Sequence, residues 1–165
     1  MRRSSLLIVP LVLALVPPSA RAAQAEPALL LWATANVCTS DQTPQRFGVR
    51  ASMPGTGRRR EQLYMRFRAQ WFSPVQERWT DFKSPAMNPD FVNVGSSRFR
   101  ARQSGWTFEF RLDPGQRFRL RGVVTFEWRR GTRVVRREVR RTRAGHPTAL
   151  AEPRGFSAAT CMLQA

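Results

Sequence analysis

Residues 63–71 read LYMRFRAQW, with Leu63, Met65, Phe67, Ala69 and Trp71 on one parity and Tyr64, Arg66, Arg68 and Gln70 on the other. Successive side chains of a strand point to opposite sheet faces, so this alternation predicts a half-buried β-strand. The pattern recurs. Trp106, Phe108, Phe110 and Leu112 form one apolar row, opposed by Thr107, Glu109 and Arg111. Phe118, Leu120, Val124, Phe126 and Trp128 form another in the longest predicted strand, 117–128, with Gly122 in the row. Shorter strands are expected over 29–35, 46–53, 78–83, 98–102 and 134–143, and 156–163 ends the domain and carries Cys161. Turns are expected at Pro54-Gly55-Thr56-Gly57, at Asp113-Pro114-Gly115 and at Arg129-Arg130-Gly131-Thr132. Residues 84–97 and 144–155 carry Pro, Gly and polar residues and are predicted to be loops. No long helical period appears after residue 22. The fold class is therefore all-β, an antiparallel β-sandwich, with a core drawn from Met65, Phe67, Trp71, Phe108, Phe110, Phe118, Leu120, Val124 and Phe126.

Residues 1–22 follow a different pattern. Arg2 and Arg3 precede an uncharged apolar run over 6–16, Pro17 and Pro18 break it, and Ala20-Arg21-Ala22 places small residues where a signal peptidase reads. The run is too short to span a bilayer as a helix. A cleaved secretory signal helix at 1–22 is expected, ahead of one β-sandwich domain at 23–165. A retained membrane anchor is the competing reading. The prolines and the cleavage triplet rank it lower. The protein is then secreted or extracellular and associated with the cell envelope.

Export gives the two cysteines a meaning. Cys38 and Cys161 lie near the two ends of the domain, and an even pair in an oxidising compartment reads as a disulfide. The bridge would close a loop of about 120 residues, worth roughly 4–5 kcal/mol in the chain-entropy account. A redox pair or metal ligands are poorer readings, because the cysteines are far apart and His146 is the only histidine. No metal or cofactor is expected.

Charge changes the picture further. Lys plus Arg is 28 against 11 for Asp plus Glu, a formal net charge of +17, and Lys83 is the only lysine. The codon composition of a high-GC genome would explain part of the preference for Arg over Lys but not the cationic excess. Such a domain is drawn to polyanions. If strands 117–128 and 63–71 are neighbours in one sheet, Arg66, Arg68, Arg117, Arg119 and Arg121 share its outward face. The strand at 134–143 would add some of Arg133, Arg136, Arg137, Arg140 and Arg141. Guanidinium forks suit phosphate and carboxylate. The plainer reading is a solvated face with cross-strand partners such as Glu109, Glu127 and Glu138. Trp71, Trp106 and Trp128 are expected in the core. Trp79, beside Asp81, is expected to be partly exposed, where sugars could stack.

Catalytic signatures do not appear: there is no Gly-x-Ser-x-Gly elbow, no His-Glu-x-x-His and no phosphate loop. His146, between Gly145 and Pro147, reads as a surface residue. No catalytic residue is assigned.

Leu112-Asp113-Pro114-Gly115-Gln116-Arg117-Phe118 resembles the fibronectin type III turn that leads into the penultimate strand. Phe118 stands where that family has the corner tyrosine, so the corner hydroxyl is lost and only its packing can remain. The wider plan is similar to small exported β-sandwich proteins of high-GC bacteria. The shared elements are an early Cys, Met53-Pro54-Gly55-Thr56, Met65-Arg66-Phe67, Gly105 ahead of Phe108, Phe126-Glu127-Trp128, an Arg-rich hairpin and a late Cys. Residues 144–156 are extra. The resemblance implies an immunoglobulin- or fibronectin type III-like domain at the cell exterior and brings no activity with it.

The expected role is a non-catalytic, monomeric envelope module, binding or structural. Its expected partners are an anionic cell-wall polymer, polysaccharide or membrane surface, or another exported protein, and no specific nucleic acid. The first alternative makes the arginine face a dedicated polyanion binder. The second is a small hydrolase or hydrolase inhibitor using the loop at 84–97.

Overall fold

The structure, a computed structural model, describes residues 29–165. The expected signal segment at 1–22 lies outside the described residues.

Among the described residues nine strands form two antiparallel sheets: β1 (Trp32–Thr39), β2 (Gln45–Pro54), β3 (Gln62–Ser73), β4 (Arg78–Asp81), β5 (Val92–Ser96), β6 (Ala101–Phe110), β7 (Arg117–Arg130), β8 (Arg133–Arg141) and β9 (Cys161–Gln164). The smaller sheet has the order β1-β2-β6. The larger is centred on β3 and β7, with β4 and β5 along the far side of β3 and β8 and β9 along the far side of β7. The expected neighbours are therefore adjacent, with Phe67 opposite Val124 and Trp71 opposite Leu120.

The apolar parities meet between the sheets. Phe47, Met53, Leu63, Met65, Phe67, Leu120, Val124, Phe126, Trp128 and Leu163 are fully buried, and Phe108 and Phe110 nearly so. The Trp128 indole N–H donates to the Pro54 carbonyl at 2.9 Å, so its polar end is satisfied within the core. Trp71 and Phe118 pack against this core half-buried, their rings edge to face at 6.0 Å. The Phe118 ring also meets Phe82 at 6.0 Å, so packing remains at this corner without a tyrosine hydroxyl.

Three expectations need correction. Trp106 is 38% exposed instead of core. Its parity is that of Phe108, but β6 is an edge strand of the smaller sheet, and parity says nothing about how far the opposing sheet reaches. Residues 84–97, expected as a loop, include β5, whose sequence VNVGS has too few apolar positions to show a period. Residues 98–102 do not form a strand of their own. Ala101 and Arg102 begin β6, which continues unbroken to Phe110.

β7 exceeds its neighbours in length. β8 pairs with Val123–Arg130 and β9 with Arg117–Leu120, leaving Arg121 and Gly122 at the break. Between β8 and β9 the chain makes an excursion over 142–160 that lies along the free edge of β1. Arg143 N–H donates to Ala33, Ala35 and Ala158 exchange two hydrogen bonds, and Cys38 N–H donates to Glu152. The extra stretch noted in the sequence thus covers a sheet edge that would otherwise leave its backbone unpaired. The Cys38–Cys161 disulfide ties β1 to β9, one strand from each sheet, with Cα atoms 5.6 Å apart.

Candidate anion-binding face

The outward parity of the larger sheet is a lattice fixed by register. At one end Trp79 pairs with Phe72 and Arg119 with Met162, and the Arg119 guanidinium lies 5.9 Å from the Phe72 ring centroid. The next row reads Asp81, Gln70, Arg121 and then the break between β8 and β9. The next reads Arg68, Val123, Arg141, followed by Arg66, Thr125, Val139, and then Asn93, Tyr64, Glu127, Arg137. All five arginines expected on this face are on it, with Arg117 beyond Arg119 on the same strand. Val123 lies buried on this face, between Arg68 and Arg141. Arginine stems cover apolar surface in this way while their heads reach water.

The five are not equivalent. Arg68 pairs with Asp81 at 3.1 Å, and Arg66 Nε donates to the Pro89 carbonyl at 3.1 Å. Arg117 and Arg119 are exposed and have no carboxylate partner among the described residues. Arg121 is held without one. Its Nε donates to Gln70 Oε1 at 2.8 Å, while Gln70 Nε2 donates to Asp81 Oδ1 at 2.9 Å. The Arg121 guanidinium lies 4.3 Å from the Trp79 ring centroid, a cation–π distance. Burial lowers its pKa, the charge of Arg141 lowers it further, and Asp81 opposes both.

Arg129 and Arg137, which share this face, are both paired with one carboxylate. Both bond the Glu127 carboxylate, which is 1% exposed: Arg129 Nε donates to Oε2 and Arg137 Nε to Oε1, each at 2.7 Å. Arg129 also lies over the Tyr64 and Phe91 rings at 4.2 and 4.6 Å. Glu138 pairs on the opposite face of β8 with Arg136 and Arg140, each at 3.1 Å. Glu109, expected as a partner, forms no ion pair among the described residues.

The chain matches no protein-family model, no curated protein and no solved structure. The chemistry of the face therefore rests on its own geometry.

Beside Arg121 the face opens into a cleft of about 870 Å³, where β8 leaves and the excursion begins. Arg140, Arg141 and Arg143 line it with Trp32, Trp79 and His146. His146, expected at the surface, is instead half-buried and stacked on Trp32, with ring centroids 4.0 Å apart and planes 8° from parallel. Arg50 lies over the same indole at 5.0 Å and donates to the His146 carbonyl at 2.7 Å. Burial, and then the Arg50 charge, hold the imidazole below its ordinary pKa. Ser157 Oγ accepts from His146 N–H and bonds Thr34 Oγ1, fastening the excursion to β1. Sequence reasoning found the arginines by parity. It offered Arg141 as one of five arginines of the next strand without singling it out, and it missed the stacking of Arg121 on Trp79 and of His146 on Trp32, because those contacts depend on where β8 and β9 part. Among the described residues no three His, Cys, Asp or Glu side chains gather as metal ligands.

Proposed function

We propose that the chain is an exported immunoglobulin- or fibronectin type III-like module that acts without catalysis, as a monomer. It holds to anionic polymer of the cell envelope through the outward face of its larger sheet. The observation that carries this reading is the group Arg117, Arg119, Arg121 and Arg141. They are gathered on one face by the register of β7 and β8, with no carboxylate partner among the described residues. Like charges kept together without counter-charge raise the local potential and attract polyanions. The strand partition supports the fold-family reading: first, second and sixth strands in one sheet, third, seventh and eighth in the other, as A-B-E stand against C-F-G in immunoglobulin-like domains. The disulfide is compatible with an extracellular setting.

The test is retention on isolated cell envelope at low and high ionic strength. Wild type is compared with a variant in which Arg117, Arg119 and Arg121 are changed to Gln. Salt-sensitive retention by wild type alone is expected, because exposed charges are screened. Equal retention by both proteins, or indifference to salt, refutes the reading.

A further inference from the structure

We propose that the cleft between Arg121 and Arg141 is a binding site for one phosphate group, set within the broader basic face. The proposal rests on the anionic-surface reading and narrows it to a ligand chemistry.

The break in the sheet creates the site. β8 stops pairing at Val123 and β9 starts pairing at Leu120, so among the described residues no strand lies beside Arg121 on that side. Thr142 seals the backbone there. Its N–H donates to the Gly122 carbonyl at 3.0 Å, its Oγ1 accepts from Gly122 N–H at 3.1 Å, and the same hydroxyl donates to the Ala159 carbonyl at 2.6 Å. The main chain is satisfied, and what faces the opening is side chain.

Arg121 is pre-set for a ligand. Gln70 occupies its Nε and is itself fixed by Asp81, and the Trp79 indole supports the plane of the guanidinium. Its two terminal nitrogens bond no acceptor among the described residues. Arg141, one row away, likewise has no acceptor and adds a second positive charge. Two guanidiniums that repel each other, one of them partly desolvated, form an arrangement that an anion stabilises. The nearby carboxylate, Asp81, is already taken by Arg68 and Gln70. A carboxylate ligand brings a single charge and two coplanar oxygens. A phosphate brings up to two charges and enough oxygens to serve both forks, so it matches the pair better. Leu29, Leu31 and Val139 also line the cleft, which leaves room for an apolar group attached to the phosphate.

The test uses full-length isotope-labelled protein and NMR signals of the arginine Nε–H groups and the Trp79 indole. Inorganic phosphate is titrated at constant ionic strength. Saturable shifts at Arg121 and Trp79 are expected. Arg141→Gln and Arg121→Gln should each weaken binding about tenfold or more, because each loses a charge-assisted pair. Arg141 is exposed on an edge strand, so its variant keeps the fold and the comparison stays interpretable if Arg121→Gln does not fold. Replacing Arg111, exposed just past the end of β6 in the smaller sheet and outside the cleft, by Gln should leave phosphate affinity within about twofold.

Two further arms, phosphatidylglycerol vesicles and polygalacturonate, separate the sources. Vesicle binding that inorganic phosphate competes away, and that Arg141→Gln lacks, makes a lipid headgroup the source. Phosphate binding without vesicle binding makes it free phosphate. Both outcomes support the site. Binding of polygalacturonate and phosphate with equal strength, or unchanged phosphate affinity in Arg141→Gln, overturns the site and leaves the general basic face standing. Binding to none of the three overturns both readings.

Discussion

Two groups of arginines stand on the same sheet face, and chemistry divides them. Around Glu127, Arg129 and Arg137 close on a carboxylate that is 1% exposed, and aromatic rings cover Arg129. Around Trp79, Arg119 and Arg121 have rings and an amide for company, Arg141 adds a further charge, and Asp81, already bound to Arg68 and Gln70, offsets them only in part. The first group buries a charge that its neighbours compensate, so its arginines belong to the fold. The second keeps an excess of positive charge that is costly to hold together. Arginine count alone does not separate these roles; the position of one glutamate does.

The largest effect available is on the support beneath the second group. β9 backs Arg117 and Arg119 with only four paired residues, and the disulfide pins it to β1. Changing Cys38 and Cys161 to Ser should cost about 4–5 kcal/mol by denaturant titration, since the bridge closes a long loop. Amide exchange should rise first along β9 and the adjoining end of β7, while the Glu127 end stays protected. Uniform loosening would show that the two halves do not differ in their support.

Glu127→Gln attacks the first group directly. It leaves two guanidiniums without counter-charge above a buried position. Removing one partner of a buried ion pair costs about 3–5 kcal/mol, and partial exposure of these arginines reduces that to about 2–3 kcal/mol. Urea titration of the variant reads the loss directly. A loss under about 0.5 kcal/mol would make this carboxylate no more than a surface residue.

The boundary between the halves is Gly122. A Cβ there would stand 2.5 Å from Val49 Cγ2, in the opposite sheet, and 2.8 Å from Thr142 Cγ2. Both neighbours are short β-branched side chains that cannot swing away, so Gly122→Ala should cost about 1–3 kcal/mol by overpacking. It should also shift the NMR signals of Arg121 more than those of Arg129, because Thr142 shapes the cleft and lies far from Glu127. Equal shifts would mean that the strand break does not define the site.

How much of this was legible in sequence follows from what each feature depends on. Parity is local, so the core rows, the shared face of Arg66, Arg68, Arg117, Arg119 and Arg121, and the turn at Asp113-Pro114-Gly115 were readable. The disulfide followed from cysteine count and position. Trp106 was misplaced because exposure depends on the reach of the other sheet. β5 was missed because five mixed residues carry no period. The division among the arginines was hidden for a different reason: Glu127 and Arg137 meet only through the register of β7 against β8, and Arg121 and Arg141 only where that pairing ends. Tertiary register, not composition, decides which charges are neutralised.

His146 offers a milder probe of the cleft wall. Burial and Arg50 hold its pKa below the unfolded value, so the native state favours the neutral ring and the unfolded state binds more protons. The contribution is fully present above about pH 6.5, the unfolded value, and is lost as pH falls through the lower folded value. His146 is the only histidine, so His146→Gln should flatten the stability profile just below pH 6.5. A profile that keeps its slope in the variant would assign the effect to carboxylates instead.

The smallest expected effect is also the sharpest contrast. Arg141→Gln removes a charge that repels Arg121 and meets no carboxylate among the described residues. Its side chain is exposed on an edge strand, so little packing is lost. Stability should stay within about 0.5 kcal/mol of wild type. Relief of repulsion should tip the change toward stabilisation, most clearly at low salt, where charges interact over a longer range. Set beside Glu127→Gln, this substitution separates an arginine group that holds the fold from one that the fold tolerates. A loss above about 1 kcal/mol in Arg141→Gln would place Arg141 with the structural arginines and end the distinction. A neutral or positive change, together with weakened phosphate binding in the same protein, is the signature of a group kept for a ligand at the expense of stability.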